Sequence, residues 1–366
     1  MHDSFFADKP RRRILALDGG GIRGVFSIEV LARMEALLRE QAGNDKLVLA
    51  DHFDLIAGTS TGAIIATFLS WGEPVAAIRQ RYAEEAKRMF VRAPWWKLSA
   101  GWFSDENLAS WLKGFLVEAD GSAATLGTAR LRTLLLLVMR NATTGSAWPL
   151  TNNPRALYNR RVNEDGSVYP RCNLDIPLWQ IVRASAAAPV YFPPEVVQLG
   201  GQDIEFIDGG VTAYNNPALI AYVMATQPCY RFSWPGGHER LHVVSIGTGQ
   251  TRALISERLR SILGVVGLGA LVPRGLMDSI SREQDLLCRV LGHTVHGEPL
   301  DREASEISGL KQFTYARFNR EFRAEEIRAA EAKFGGRFSL DNVRMADFLV
   351  EEGRKFAERV KLEHLM

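Results

Sequence analysis

The chain has 366 residues, of which 46% are hydrophobic, so it can bury a sizeable core. Its 44 lysines and arginines nearly balance its 42 aspartates and glutamates, which argues against a nucleic-acid polymer as a partner. The three cysteines are far apart and odd in number, which favours a reducing compartment over a disulfide framework. None belongs to a zinc-binding pattern, so we expect no metal.

Neither a signal-peptide pattern nor an uncharged run of the roughly 18 residues that a membrane span needs is found. We therefore expect a cytoplasmic protein that touches membranes only peripherally. Two apolar segments would suit such contact or gate a site: the tryptophan-rich stretch 94–103 and the glycine-containing stretch 262–272. Packing over the core or in a dimer contact is the favoured alternative for the first, and burial is favoured for the second.

Short apolar segments alternate with helical patterns over the first 250 residues. The predicted strands are 14–17, 53–57, 134–139, 204–207 and 242–246, and the predicted helices are 24–39, 61–69, 177–187 and 217–225. This alternation indicates an α/β fold with a mostly parallel central sheet. Functional loops of such sheets lie at the carboxyl ends of strands, and a glycine-containing motif follows four of these strands.

The C-terminal part contains charged helical patterns, clearest over 338–365, and no repeat or low-complexity linker precedes it. We expect a catalytic core over 12–250 and a mainly helical part over 251–366, packed on that core within the same domain. A homo-oligomer is compatible with this composition.

The segment 58–62 reads Gly-Thr-Ser-Thr-Gly between a predicted strand and a predicted helix, which is the setting of a G-x-S-x-G nucleophile turn. Ser60 would stand at a helix N-terminus, where the helix dipole and free amides favour negative charge. The residues that flank the serine in this turn are Gly58, Thr59, Thr61 and Gly62. A glycine-rich turn without chemistry is the alternative, and the strand–turn–helix setting favours a nucleophile.

A nucleophilic serine needs a base, and the histidines are poorly placed to supply one. His242 opens a strand at its wrong end, and the other histidines after Ser60 lie outside the glycine-marked loops. Asp208 instead follows an apolar strand and precedes Gly209 and Gly210. Burial there would raise its carboxyl pKa above the ordinary value of about 3.9 and make it a better base. An Asp-Gly turn is the alternative for this residue taken alone.

The segment 18–24 reads Asp-Gly-Gly-Gly-Ile-Arg-Gly, and its backbone amides would form the oxyanion hole of an acyl hydrolase. The predicted residues of this oxyanion loop are Gly19, Gly20, Gly21, Arg23 and Gly24. The spacing also fits a dinucleotide-binding loop, but the second strand lacks the acidic residue that would bind the ribose. Arg23 would either attract a lipid phosphate or orient the loop, with a surface arginine as the alternative.

Together, the motifs at 18–24, 58–62 and 208–210 resemble the three signatures of patatin-like phospholipases in their order and separation. The segments 183–194, 215–217 and 247–249 are also similar to family positions. The resemblance implies a three-layer α/β/α fold and a Ser60–Asp208 dyad without histidine, metal or other cofactor. It further implies hydrolysis of fatty acyl esters in membrane phospholipids.

Some bacterial members of that family are antiphage effectors in which a cyclic dinucleotide activates phospholipid degradation. The resemblance therefore adds a cyclic dinucleotide activator as an expectation, although no nucleotide-binding motif is recognised in the sequence. Two other classes of protein remain as alternatives: a dinucleotide-binding oxidoreductase that uses the loop 18–24, and a non-catalytic binding module that keeps the fold.

Overall fold

The computed structural model describes residues 5–89, 106–163, 165–251, 275, 277–297, 309–335, 338–339 and 341–366. The apolar stretches 94–103 and 262–272 lie outside these residues. Within the described ranges, no helix combines the length and the apolar composition that crossing a bilayer requires. The same ranges contain no group of three or more His, Cys, Asp or Glu residues placed to hold a metal ion.

A nine-stranded sheet forms the centre of the molecule. Its strands are β1 Arg12–Leu17, β2 Leu55–Thr59, β3 Leu134–Asn141, β4 Ala147–Thr151, β5 Glu195–Leu199, β6 Gln202–Asp208, β7 Leu241–Ile246, β9 His293–His296 and β10 Thr314–Phe318. Their order is β5-β6-β3-β2-β1-β7-β10-β9, with β4 also paired to β3. Six strands run parallel, and β4, β5 and β6 are antiparallel to their neighbours. The short strands β8 Gln250–Thr251 and β11 Glu321–Phe322 form a separate pair.

Helices cover both faces of this sheet. They are α1 Gly24–Ala42, α2 Leu49–His52, α3 Thr61–Trp71, α4 Val75–Met89, α5 Glu106–Phe115, α6 Leu178–Ser185, α7 Ala218–Thr226, α8 277–291, α9 Ala324–Phe334 and α10 Ala346–Ala357. Because successive strand residues face opposite sides, Leu15 and Leu17 join one buried cluster while Ile14 and Ala16 join the other. The α/β class with a mostly parallel central sheet between helical layers is therefore confirmed.

Strand β6 differs from the expectation that every glycine motif would follow a parallel strand. It runs antiparallel to β3, with Asp208 opposite Met139 and Phe206 opposite Asn141. Strand β3 extends beyond the end of β2, where Thr59 pairs with Val138, so β6 returns along this extension. Asp208 thus reaches the level of the β2 carboxyl end from the opposite direction, because β6 stops one register position beyond Thr59.

The C-terminal part contributes strands as well as helices. Strand β10 pairs with β7 along its whole length, and β9 pairs with β10, so both extend the central sheet. Helix α10 packs on α1, where a Cβ at Gly353 would lie 3.1 Å from the carbonyl oxygen of Phe26. The sheet therefore continues across the boundary that we expected near residue 250.

Candidate active site

The turn that carries Ser60 joins β2 to α3 and is unusually tight. Ser60 has φ 55° and ψ −124°, a backbone conformation that residues with a side chain rarely adopt. A Cβ at Gly58 would lie 2.2 Å from the carbonyl oxygen of Gly62, and one at Gly62 would lie 2.3 Å from that of Leu17. Only glycine fits at these two positions, and the two glycines let the chain reverse sharply at Ser60.

Neighbouring elements fix this turn. The Ser60 amide donates a hydrogen bond to the Ser185 hydroxyl at 3.0 Å, and that hydroxyl donates to the carbonyl of Val138. The Thr59 hydroxyl donates to the carbonyl of Tyr214 at 2.7 Å. Ser185 lies on α6 within the segment 183–194, one of the segments that are similar to family positions. This segment therefore supports the nucleophile turn.

Asp208 lies within hydrogen-bonding distance of the serine. The Ser60 hydroxyl donates to Asp208 Oδ2 at 2.7 Å, and the Gly210 amide donates to the other carboxylate oxygen at 2.6 Å. Asp208 is 2% exposed and Ser60 is 7% exposed, so the pair is shielded from water. A Cβ at Gly209 would lie 2.2 Å from the carbonyl of Val138, which explains a glycine directly after the carboxylate.

Burial changes the acidity of Asp208. Loss of hydration raises its pKa to about 6, while the Ser60 hydroxyl, the Gly210 amide and the charge of Arg183 act in the opposite direction. A carboxyl group with a pKa near the working pH accepts a proton more effectively than an ordinary aspartate and is still largely ionised at pH 7.

The histidines take part in other contacts. His242 is buried at the start of β7, where burial and the charges of Arg11 and Arg13 lower its pKa to about 3. The rings of His296 and His364 lie 4.5 Å apart, and those of His238 and His293 lie 5.8 Å apart. Among the described residues, no histidine forms a hydrogen bond with Ser60 or Asp208.

The glycine loop after β1 lies directly against the nucleophile. A Cβ at Gly19 would stand 3.0 Å from the Ser60 Cβ. The Gly19 amide donates to the Asn215 carbonyl at 3.1 Å, so it is not available to an oxyanion. The amides of Gly20 and Gly21 have no acceptor among the residues that the structure describes. If the loop binds an oxyanion, these two amides, and not that of Gly19, are its donors.

Arg23 is not the surface arginine considered as an alternative. It is 2% exposed, its Nη1 donates to the carbonyl of Gly249 at 2.8 Å, and its Nε donates to that of Gly20 at 3.3 Å. Its Nη2 also lies 4.0 Å from the Oδ1 atom of Asp278. Because the guanidinium is committed to these groups, the structure favours loop orientation over attraction of a lipid phosphate.

A buried ion pair anchors the start of the glycine loop. Arg317 on β10 donates from both terminal nitrogens to Asp18, at 2.8 and 2.6 Å, and also to the Ser245 hydroxyl at 2.7 Å. Burial lowers the pKa of Arg317, but the charge and hydrogen bonds of Asp18 raise it above its ordinary value, so the arginine stays charged. Sequence reasoning missed Arg317, although an arginine within the apolar segment 313–318 was an available signal.

The three predicted motifs therefore meet at one place: the serine and the carboxylate are hydrogen-bonded, and the glycine loop packs beside them. This contact also argues against the dinucleotide-binding alternative, because the loop is closed against Ser60 rather than open to a pyrophosphate.

In comparisons with known proteins, the sequence profile of the family described as patatin-like phospholipase matches residues 15–222. The match covers more than half of the chain, and the protein belongs to this family.

Individual relatives agree with the family assignment. A cGAMP-activated phospholipase of Escherichia coli is 30% identical over 68% of this chain and 65% of its own length. One of the same description from Vibrio cholerae is 28% identical over 76% of each chain. Patatin-like protein 4 of Arabidopsis thaliana is 32% identical over 65% of this chain. The chain spans less than two thirds of the length of the E. coli and Arabidopsis relatives, 65% and 60%.

Proposed function

We propose that the protein is a serine lipid acyl hydrolase of the phospholipase A type, which cleaves fatty acyl esters of membrane glycerophospholipids. The observation that carries the proposal is the 2.7 Å hydrogen bond from the Ser60 hydroxyl to the buried Asp208 carboxylate, beside the glycine loop, in a member of a phospholipase family. In this proposal the enzyme contacts the membrane that holds its substrate peripherally.

In the proposed reaction, Ser60 Oγ attacks the ester carbonyl while Asp208 Oδ2 accepts the hydroxyl proton. The amides of Gly20 and Gly21, which have no acceptor among the described residues, stabilise the negative oxygen of the tetrahedral intermediate. As the carbon–oxygen bond breaks, Asp208 returns the proton to the departing lysophospholipid alcohol. Water then attacks the acyl-enzyme with Asp208 again as base, which releases the fatty acid and restores the serine.

The test is mass spectrometry of lipids released from phospholipid vesicles by the parent, by Ser60→Ala and by a matched control. Ser146→Ala is a suitable control because Ser146 is exposed in the loop between β3 and β4. We expect fatty acid and lysophospholipid from the parent and the control, and none above background from Ser60→Ala. With cyclic dinucleotides present, release by Ser60→Ala equal to that by an active parent would overturn the proposal.

We further propose that a cyclic dinucleotide activates this hydrolase. The support is the name shared by the relatives from E. coli and V. cholerae, which are described as cGAMP-activated phospholipases. The same vesicle assay, repeated with and without cGAMP and related cyclic dinucleotides, tests it. Activation of the parent but not of Ser60→Ala is expected; full activity without nucleotide, unchanged by the panel, would remove the activator from the proposal and leave the hydrolase.

A further inference from the structure

Three consecutive carbonyl groups of the glycine loop are each held by a side chain. The Gly19 carbonyl accepts from Asn215 Nδ2 and from Thr248 Oγ1, both at 3.4 Å. The Gly20 carbonyl accepts from Arg23 Nε at 3.3 Å. The Gly21 carbonyl accepts from the Tyr82 hydroxyl at 2.9 Å. The side chains that hold the loop therefore come from four different segments of the chain.

Holding these carbonyls also aims the amides. A trans peptide unit is planar, and its C=O and N–H groups point in opposite directions. The Gly19 carbonyl shares its peptide plane with the Gly20 amide, and the Gly20 carbonyl shares its plane with the Gly21 amide. The hydrogen bond from Tyr82 to the Gly21 carbonyl holds the following peptide plane, between Gly21 and Ile22. It therefore limits rotation about Gly21, whose φ is 57°. The Gly20 and Gly21 amides, the two candidate oxyanion donors, are thus oriented by the hydrogen bonds to the carbonyl groups on the opposite side of their peptide planes.

Tyr82 connects this loop to the nucleophile turn. It lies on α4, outside every motif found in the sequence, and it is 2% exposed. Its hydroxyl contacts the hydroxyl of Thr61, the residue that follows the nucleophile. Since the Tyr82 hydroxyl donates its only proton to the Gly21 carbonyl, it must accept the proton of Thr61. One chain of hydrogen bonds, from Thr61 through Tyr82 to Gly21, spans both parts of the site.

The glycine at position 24 keeps space for this chain. A Cβ there would lie 2.6 Å from Thr61 Oγ1 and 3.1 Å from the Tyr82 hydroxyl oxygen. Burial raises the pKa of Tyr82 to about 12, so its hydroxyl remains a donor at any pH at which the enzyme would work. The last glycine of the motif 18–24 therefore has a role that depends on a residue about 60 positions away in the sequence.

We propose that Tyr82 is a positioning residue of the oxyanion hole: its hydroxyl sets the glycine loop against the nucleophile turn so that the Gly20 and Gly21 amides point at the developing oxyanion. The inference rests on the proposed hydrolase function. Because the oxyanion exists only in the transition state and intermediate, Tyr82 supports the chemical step more than substrate binding.

The test is Tyr82→Phe, which removes the hydroxyl and keeps the buried ring. Loss of an oxyanion donor costs about 10²- to 10³-fold in kcat, and loss of a group that only orients the donors should cost less, about 10- to 100-fold. We expect that decrease in kcat with KM changed by less than about twofold. Tyr315→Phe is the matched control, because Tyr315 is fully buried and its hydroxyl also donates one hydrogen bond, to Asp285 at 2.9 Å.

Variants of Thr61 separate positioning from general loosening of the core. Thr61→Ser keeps the hydroxyl and should retain kcat, whereas Thr61→Val removes it and should lower kcat as Tyr82→Phe does. Because both changes interrupt one hydrogen-bonded chain, the double variant Thr61→Val/Tyr82→Phe should be little slower than either single variant. If the losses in kcat of the two single variants multiply in the double variant, the hydrogen-bonded chain from Thr61 through Tyr82 to Gly21 is refuted.

The rate at which a fluorophosphonate labels Ser60 provides a readout that does not depend on lipid. A parent that is labelled but releases no fatty acid refutes the lipid substrate and still tests Tyr82, because labelling should slow about tenfold or more in Tyr82→Phe. A Tyr82→Phe protein with parental kcat and labelling rate refutes the positioning role alone. A loss equal to that of the Tyr315→Phe control also refutes it, and a parent that is not labelled even with the panel of cyclic dinucleotides present overturns both proposals.

Discussion

The two members of the dyad are held in place by different parts of the structure. Ser60 is placed by a turn of five residues in which Gly58 leaves space for the Gly62 carbonyl, and contacts with other elements hold that turn in place. Asp208 depends on the register between β3 and β6, strands that are separated by 60 residues in the sequence. A nucleophile set by a local turn is visible as a short motif. In the sequence, a base that is positioned by strand register can be identified only as a carboxylate that precedes glycines.

Removal of the Asp208 carboxylate should have the strongest effect on catalysis. Asp208→Asn keeps the shape of the side chain but removes the proton acceptor, so kcat should fall about 10²- to 10⁴-fold, the range of general-base catalysis. Fatty acid release under saturating substrate measures the loss. Asp165→Asn serves as the control, since that carboxyl is exposed in a surface turn. Full activity of Asp208→Asn would move the role of base to another group.

The second prediction concerns the ion pair that anchors the glycine loop from β10. Arg317→Leu leaves the buried carboxylate of Asp18 without its partner, and breaking such a pair by removing one member costs about 3–5 kcal/mol. Urea unfolding of the parent and the variant measures the difference in the free energy of unfolding. The control Arg161→Leu breaks the pair between Arg161 and Asp175, which is exposed and should matter by less than about 1 kcal/mol. Equal losses in the two variants would refute the anchoring role.

The third prediction concerns the close contact between the nucleophile turn and β1. In Gly62→Ala the new methyl group would meet the Leu17 carbonyl at 2.3 Å, and backbone must move. We expect a loss of about 1–3 kcal/mol in the free energy of unfolding, as for other overpacked sites, together with slower fluorophosphonate labelling. Gly114→Ala is the control, because nothing lies within 4 Å of that position on α5. Alanine should stabilise that helix by up to about 1 kcal/mol.

The same contrast explains how much could be predicted from the sequence. The strands around the site and the motifs that meet there could be predicted, because the pattern of a strand, a turn and a helix lies in consecutive residues. The antiparallel direction of β6 could not, because alternating and apolar segments look alike in either direction. The roles of Arg317 and Tyr82 could not be predicted either, because no residue close to them in the sequence indicates which group each side chain contacts. Their roles arise from contacts between segments that only the fold brings together.

The last and smallest effect follows from the burial of Asp208. Its carboxylate must be ionised to accept the serine proton, so kcat should fall as the pH drops through about 6, about tenfold for each unit below that value. Stability should move the other way. The folded pKa lies above the unfolded value of 3.8, so the contribution of this group to folding is fully present below that value and is lost as the pH rises through about 6.

Between pH 5 and pH 7 this loss amounts to about 1 kcal/mol. Asp208→Asn cannot titrate at this position, so the variant should gain roughly that much stability relative to the parent over the same interval. Urea unfolding of both proteins at the two pH values measures the gain. A parent whose kcat is flat from pH 5 to pH 8, or a stability difference that does not change with pH, would show that Asp208 titrates like an exposed carboxyl group. The strand register would then place a carboxylate beside Ser60 without making it a better base.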